Sequence, residues 1–319
     1  MNEINSDAYK LLMMTENEVG KAVVGKPEVI RRVLTAILAG GHILMEDVPG
    51  VGKTTLALAF SRVLNMEYHR MQFTPDVMPS DVVGFYIFNR DTGAREYKQG
   101  SIMCNLFLAD EINRTSSKTQ SALLEVMEEG NVTVDGVTHP VPNPFTVIAT
   151  QNPVGAAGTQ MLPDSQLDRF MIRVSIGYPS EEYEIRMLKD RSNANPLDDV
   201  RPIVSQQALL ALRKMAEGIY VDDAIYGYVT DLVNATRGHD MLSLGISPRG
   251  TIALIAMAKA NAMLKNRAYV IPEDISDVFA ATTAHRMILT PSARMNRVTE
   301  AEVARAVLAS VVPPRVFQK

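Results

Sequence analysis

Hydrophobic positions in the first half of the chain follow two different periods, which predict strands separated by helices. From Val29 to Leu38 the apolar residues recur at helical spacing. Short continuous apolar runs begin at His42, Asn105 and Phe145, as is typical of strands buried on both faces of a parallel sheet. Strands that alternate with helices in this way predict a parallel α/β sheet with crossover connections.

Two further patterns predict β-hairpins that project from this sheet. Residues 84–100 contain an aromatic run followed by the turn signal Asp91-Thr92-Gly93, and residues 132–137 hold valines around Asp135-Gly136. Residues 67–81 form a polar stretch in which no strand is predicted.

The second half of the chain is almost entirely helical by pattern. Helical spacing and capping signals predict helices over residues 206–217, 222–236, 248–264, 272–284 and 299–308. A polar, proline-containing stretch at 191–200 precedes them and suits a linker. We therefore predict two domains, an α/β core of residues 1–190 that begins with an amphipathic helix, and a small all-α lid domain of residues 191–319.

The strand that begins at His42 leads into a glycine-rich turn and a helix, close to the P-loop pattern GxxxxGK[ST]. Asp47 replaces the first glycine, whose role is in the turn rather than in phosphate contact. Lys53 is placed to reach terminal phosphates, and the Thr54 hydroxyl to bind Mg²⁺. The loop N–H groups and the helix dipole favour an anion. The predicted phosphate-binding residues are Val48, Pro49, Gly50, Val51, Gly52, Lys53, Thr54 and Thr55.

Polar side chains that suit phosphoryl transfer follow two other predicted strands. Asp110 and Glu111 follow residues 105–109, and Asn152 follows residues 145–150. The carboxyl ends of parallel strands lie together, so we expect these groups to converge on the P-loop. Asp110 is predicted to bind the nucleotide's Mg²⁺, Glu111 to orient or deprotonate water, and Asn152 to hold that water. A helix-terminal charge and an Asn-Pro turn are the alternative interpretations.

Two arginines are candidates for stabilising the charge that develops during phosphoryl transfer. Arg169, in LDRF, suits an arginine finger that acts on a neighbouring subunit. Arg249, in ISPRG, begins a helix whose dipole disfavours a cation, which argues for an anionic partner. A surface salt bridge remains the alternative for each of them.

Composition narrows the classes of function. The chain has 319 residues, 46% of them hydrophobic, which is enough for about two domains. The net charge of −4 gives no general attraction to nucleic acid. A single cysteine, Cys104, excludes a disulfide framework, and the five histidines lack metal-ligand spacing. With no signal peptide and no apolar run of about 18 residues, we expect a cytoplasmic protein without a membrane segment.

Taken together, these motifs resemble the MoxR family of AAA+ ATPases along nearly the whole chain. The resemblance is carried by VVGKPEVI, GGHILMEDVPGVGKTTLA, QFTPDVMPSDVVG, LADEINRTSSKTQSALLEVMEEGNVTV, FTVIATQNP, LPDSQLDRF and SPRG. It implies Walker A (Lys53, Thr54), Walker B (Asp110, Glu111), sensor 1 (Asn152), arginine finger (Arg169) and sensor 2 (Arg249) roles. GSIMCN and Asp164-Ser165 depart from the usual family pattern without touching these positions.

The resemblance also implies a ring, commonly a hexamer, that hydrolyses ATP with Mg²⁺ to remodel, mature or activate partner proteins, often with von Willebrand factor A-domain proteins. Residues 84–100 would be its helix-2 insert. Alternatives are a magnesium-chelatase-like subunit that drives metal insertion, a nucleic-acid motor with Arg90 and Arg95 in its pore, and a nucleotide switch with negligible hydrolysis. Glu111 and Asn152 argue against the switch. The client, the ring size, the cis or trans action of Arg249 and the role of the hairpins stay open.

Overall fold

The computed structural model describes residues 4–91, 93–152, 162–179, 181, 183–185 and 196–315. Its strands are β1 (Ile43–Glu46), β2 (Tyr68–Gln72), β3 (Gly84–Phe88), β4 (Arg95–Gln99), β5 (Leu106–Asp110), β6 (Asn131–Val134), β7 (Val137–Pro140), β8 (Thr146–Gln151), β9 (Ile172–Val174), β10 (Leu242–Leu244) and β11 (Ile288–Leu289). Its α-helices are α1 (Ser6–Ala22), α2 (Pro27–Leu38), α3 (Lys53–Val63), α4 (Pro79–Val83), α5 (Ser117–Glu129), α6 (Asp164–Leu167), α7 (Gln206–Glu217), α8 (Asp223–Arg237), α9 (Pro248–Leu264), α10 (Pro272–Thr283), α11 (Pro291–Met295) and α12 (Glu300–Ser310).

A five-stranded parallel sheet in the order β2-β5-β8-β1-β9 holds the first half of the chain together. Its inner strands β5 and β8 are buried along their whole length, as their apolar runs predict. Neighbouring strands end at nearly the same level, with Gln72 opposite Asp110 and Met45 opposite Thr150. The predicted parallel α/β sheet is therefore confirmed, and its carboxyl edge gathers the residues that follow each strand.

The outer strand β2 lies within the polar stretch 67–81, where the sequence predicted no strand. The sequence pattern does not indicate this strand because β2 is an edge strand that pairs on one side with β5. His69 and Met71 are half-buried, and Arg70 and Gln72 are exposed, so no continuous apolar run marks the strand. The short helix α4 ends the same stretch.

Both predicted hairpins are present, and they contact each other. β3 pairs with β4 and β6 pairs with β7, each antiparallel. An ion pair joins Arg95, the first residue of β4, to Asp135 in the turn between β6 and β7. The ring of Tyr97 stacks on that of His139 with centroids 3.9 Å apart, and the Tyr86 hydroxyl lies 3.1 Å from Nε2 of the same histidine. The two hairpins therefore form one unit.

The second half of the chain is a bundle of helices, as the pattern predicts. Helices α7 to α10 and α12 match the five predicted helices to within two residues at each end. The short helix α11 and the two-stranded ribbon β10–β11 are additions that the pattern did not indicate, because each is only two to five residues long. No helix of the described residues is long and apolar enough to cross a membrane.

The sheet and the helical bundle share one hydrophobic cluster, which includes Ile43 of β1, Val33 of α2 and Met257 of α9. The predicted domain boundary at 190/191 lies outside the described residues and stays a prediction. Near the amino edge of the sheet, Arg286 links the two parts. Its guanidinium donates to Oδ1 of Asp168 at 2.8 Å and to the carbonyl oxygen of Phe170 at 2.7 Å.

We expect Arg286→Met to destabilise the protein by about 3 kcal/mol, because Asp168 and the carbonyl groups near it would lose their buried cation. Thermal unfolding measures this as a midpoint lowered by several degrees. The matched control is Arg305→Met, which removes an exposed arginine of α12. Equal midpoints for the two variants would contradict the structural role assigned to Arg286.

Candidate active site

The loop between β1 and α3 has the backbone of a phosphate-binding loop. Gly50 and Gly52 adopt φ values of 86° and 99°, which L-residues with side chains rarely reach. Gly52 is the N-cap of α3, and no side chain of the described residues accepts from the first N–H groups of that helix. These N–H groups, together with the positive end of the helix dipole, suit an anionic ligand.

Lys53 is buried at the start of α3, where its ammonium group is held beside the loop. Nζ donates to the carbonyl oxygen of Asp47 at 2.8 Å. Burial lowers the pKa of Lys53 below the usual 10.5, and the carboxylates of Asp47, Asp110 and Glu111 oppose this shift. These three carboxylates therefore favour the charged form of the lysine.

Asp47, which replaces the first glycine of the P-loop pattern, fixes the start of the loop to the segment after β9. Its carboxylate accepts hydrogen bonds from the Ser175 hydroxyl at 3.0 Å and from the N–H groups of Ile176 and Gly177. Asp47 is 6% exposed, so these bonds are shielded from water. The departure from the P-loop pattern thus adds a fixed contact between the loop and β9.

Asp110 lies at the end of β5 with both carboxylate oxygens engaged. Oδ1 accepts from the Thr150 hydroxyl at 2.6 Å, and Oδ2 accepts from the Arg70 guanidinium at 2.7 Å. The Asp110 side chain is 12% exposed and that of Arg70 is 46% exposed, so the ion pair is partly shielded from water. The contacts orient the carboxylate at the edge of the sheet where the P-loop lies.

Glu111 adopts a left-handed backbone conformation with φ 56° and ψ 47°. For a residue other than glycine this costs roughly 1–2 kcal/mol, and such strain is found at functional positions. Its N–H donates to the Thr150 hydroxyl at 2.9 Å. Oε1 accepts from Nδ2 of Asn152 at 3.1 Å, and Oε2 accepts from Arg114 at 2.7 Å. The two residues predicted to handle water are therefore in direct contact.

The residues predicted to hold Mg²⁺ have suitable chemistry. A hydroxyl from Thr54 and a carboxylate from Asp110 are the oxygen ligands that Mg²⁺ prefers. Because Thr150 and Arg70 already bind the two oxygens of Asp110, the site suits an ion that keeps part of its water shell. Among the described residues no cluster of three or more His, Cys, Asp or Glu side chains offers a different metal site.

The structure does not bring Arg169 and Arg249 to these carboxylates. Arg169 lies just before β9, and the N–H of Met171 donates to the carbonyl oxygen of His42, at the amino end of β1. The P-loop follows the other end of β1, about 13 Å away for a strand of four residues. Both arginines instead pair with Glu128 at the end of α5, Arg169 at 3.2 Å. They lie together at the opposite edge of the sheet.

Four residues of this arrangement were missed by the sequence analysis. Thr150 carried a signal, since it is a polar residue that ends an apolar run. Arg114 follows Glu111 by three residues, a spacing that permits an ion pair across one turn. Nothing in the sequence indicated the pairing of Arg70 with Asp110, because the strand that carries Arg70 was not predicted. Glu128 pairs with Arg169 and Arg249, which are distant from it in the sequence.

Comparisons with known proteins match both parts of this fold. The sequence profile of the ATPase family associated with various cellular activities (AAA) matches residues 42–172, and the AAA lid domain profile matches residues 234–316. A crystal structure from Cytophaga hutchinsonii, described as a candidate ATPase, superposes with a TM-score of 0.90 at 38% identity, over 97% of this chain and 96% of that one.

Curated relatives match through both the sheet and the helical bundle. The uncharacterized protein YeaC of Bacillus subtilis is 44% identical over 97% of this chain and 96% of its own length. Chaperone MoxR1 of Mycobacterium tuberculosis is 39% identical over 94% of this chain and 81% of its own. Protein MoxR of Methylorubrum extorquens is 31% identical, with 94% of each chain covered.

The lowered pKa of Lys53 predicts how ATP affinity depends on pH. The charged ammonium attracts the phosphates, so the affinity for ATP is greatest below this pKa and falls as the pH rises through it. Because the pKa is lowered, this fall occurs at a lower pH than it would with an ordinary lysine. Titration of a fluorescent ATP analogue across alkaline pH measures the effect. Lys53→Arg, which keeps its charge, should lack this decline, and identical profiles for the two proteins would contradict the assignment.

We expect Glu111→Gln to lower ATP turnover at least about 100-fold while leaving ATP affinity nearly unchanged, because an amide cannot accept the proton of the attacking water. Steady-state hydrolysis and equilibrium nucleotide binding measure the two quantities separately. Glu28→Gln, at an exposed position of α2, is the matched control. Turnover that survives in Glu111→Gln would refute the assignment of Glu111 as the base.

Proposed function

This chain belongs to the MoxR family of AAA+ ATPases, and on that premise we propose that it works as a ring in which each ATP site is completed by arginines of the neighbouring subunit. The observation that carries the proposal is the separation within one chain. Lys53, Asp110 and Glu111 lie at the carboxyl edge of the sheet, whereas Arg169 and Arg249 lie at the amino edge. A neighbour that docks edge to edge brings the two sets together.

In this proposal the residues of one subunit bind ATP and prepare water for attack. The N–H groups of the loop and Lys53 bind the phosphates, and Mg²⁺, held through Thr54 and Asp110, neutralises charge on them. Asn152 and Glu111 share one hydrogen bond, and in this proposal the pair positions the water that attacks the γ-phosphate. Arg114 donates to the other oxygen of Glu111, which fixes the orientation of the carboxylate.

The neighbouring subunit supplies cations for the charge that develops on the transferred phosphoryl group. A guanidinium donates several hydrogen bonds in one plane and stays charged at every physiological pH. Its effect on turnover is large because it acts where charge increases in the transition state. Arg169 and Arg249 are adjacent, so we propose that both act in trans, which extends the arginine-finger assignment to Arg249.

We further propose that hydrolysis drives chaperone-like remodelling of a client protein. The coupled hairpins are the elements that suit contact with a client, because Phe85 and Phe88 on the first hairpin are 47% and 65% exposed. Exposed aromatic side chains commonly mark protein-binding surfaces. The pairing of Arg95 with Asp135 neutralises one of the two cations that a nucleic-acid motor would present there, which favours a protein client. Partners with von Willebrand factor A domains are the class to test first.

Mixed rings test the shared site. Lys53→Ala removes the phosphate-binding lysine and Arg169→Ala removes the finger, so each variant alone should be nearly inactive. When the two are mixed, a Lys53→Ala subunit can lend its intact arginine to the functional site of an Arg169→Ala neighbour. We expect the mixture to regain a measurable part of wild-type ATP turnover, in proportion to such pairs.

The control for this experiment mixes Lys53→Ala with Glu111→Gln, which damage the same site and should not restore one another. Specific activity should also rise with protein concentration over the range in which sizing detects assembly. A monomer that is fully active at all concentrations, or a mixture that recovers nothing, would refute the shared site.

A further inference from the structure

Glu128, the penultimate residue of α5, is bound by both arginines at the amino edge. Oε2 pairs with Arg169 at 3.2 Å, and Oε1 pairs with Arg249. The one carboxylate therefore contacts a residue of the core and a residue of the helical bundle at the same time. All three side chains are between 31% and 42% exposed, so they remain open to a further ligand.

The position of Glu128 in its helix is unfavourable unless it binds cations. A carboxylate in the last turn of a helix lies near the negative end of the helix dipole. Gly130 ends α5 in a left-handed conformation with φ 66°, so Glu128 lies in the last turn of the helix, one residue before its end. Two guanidinium groups offset that unfavourable interaction, which is a physical reason to find them on this residue.

The end of α5 is a rigid support for this carboxylate. The carbonyl oxygen of Met127 accepts a hydrogen bond from Nε2 of His42 at 2.9 Å, and Nδ1 of the same ring accepts from the N–H of Val147 at 2.9 Å. Burial lowers the pKa of His42 to about 4, so the ring stays neutral and keeps these two roles. The residue before Glu128 is thereby joined to β1 and β8.

The backbones that carry the two arginines are also fixed to each other. Asp168, which precedes Arg169, accepts hydrogen bonds from the Ser247 hydroxyl at 3.0 Å and from Arg286 at 2.8 Å. Ser247 is the N-cap of α9, two residues before Arg249. These contacts fix the segments next to the two arginines, whereas Glu128 binds the guanidinium groups at the ends of their side chains.

We propose that Glu128 is a positioning residue that presents Arg169 and Arg249 as one preorganised pair to the ATP of the neighbouring subunit. This inference rests on the proposed shared site. Each guanidinium has five N–H donors, so it can keep Glu128 along one edge and offer the other edge to phosphate oxygens. Without the carboxylate, two like charges would repel each other and the side chains would adopt many rotamers, which lowers the fraction ready to act.

The first test compares Glu128→Gln and Glu128→Ala with Glu125→Gln and Glu129→Gln. The controls lie on the same helix and are exposed, and among the described residues neither pairs with an arginine. A glutamine retains one acceptor oxygen but turns its amide hydrogens toward the second arginine. We expect both Glu128 variants to lose about 10- to 100-fold in kcat with a KM for ATP within about threefold of wild type, and both controls to keep wild-type kcat.

A second test asks where Glu128 acts. If it works through arginines lent to a neighbour, mixing Glu128→Ala with Lys53→Ala should give more activity than the sum of the two separate proteins. In an Arg249→Ala background, Glu128→Gln should cost less than it does in the wild type, because the two residues act together. A role in folding alone would give the same loss in both backgrounds and no recovery in the mixture.

Several outcomes would overturn the inference. Wild-type or higher kcat in Glu128→Gln would mean that the carboxylate does not assist the arginines or that it restrains them. Dispersed subunits on sizing would assign Glu128 to subunit contact instead. The proposed function is tested separately by the mixture of Lys53→Ala with Arg169→Ala. If that mixture recovers activity while the Glu128 variants behave as wild type, only the role of Glu128 is wrong.

Discussion

The parallel register of β1, β8 and β5 is the constraint on which the site depends. Because these strands end level, the residues that follow them lie within hydrogen-bond distance, and one hydroxyl, that of Thr150, contacts both Asp110 and Glu111. A slip of β8 by one residue would turn Thr150 to the other face of the sheet and leave Asp110 without that donor. Because β5 and β8 are buried on both faces, such a slip would displace closely packed side chains, so packing in the core helps to set the geometry of the polar groups.

The opposite edge of the sheet is organised by buried polar contacts rather than by strand ends. His42 fixes α5, Arg286 fixes the segment before β9, and Ser247 joins the first turn of α9 to Asp168. Each contact spans the boundary between separate elements, and Arg286 and Ser247 join the sheet to the helical bundle. The same residues that stabilise the packing of the bundle therefore determine where the two arginines lie.

Sequence reasoning predicted the elements whose signals are local. Helices α7 to α10 and α12 were placed to within two residues because helical spacing and capping signals mark them, and both hairpins were marked by their turns. It could not predict β2, whose half-exposed residues form no apolar run, nor the Arg70 contact that follows from it. It also missed Glu128, since its partners are 41 and 121 positions away in the chain and no periodic pattern connects them. Roles at the site were assigned from motifs, whereas the division of the residues between two edges required the structure.

The contact between Asp47 and the end of β9 has a mechanical consequence. β9 is three residues long, with Arg169 shortly before its first residue and Ser175 directly after its last. Its carboxyl end is tied to the subunit's own phosphate-binding loop through Asp47, while its amino end carries the arginine region. In a ring built as proposed, nucleotide binding or release that shifts the phosphate-binding loop would also shift β9. Because β9 is short, the shift would reach Arg169, which acts in the ATP site of the neighbouring subunit. The nucleotide bound to one subunit would then influence when the adjacent subunit hydrolyses its ATP, and this dependence would extend from each site to the next around the ring.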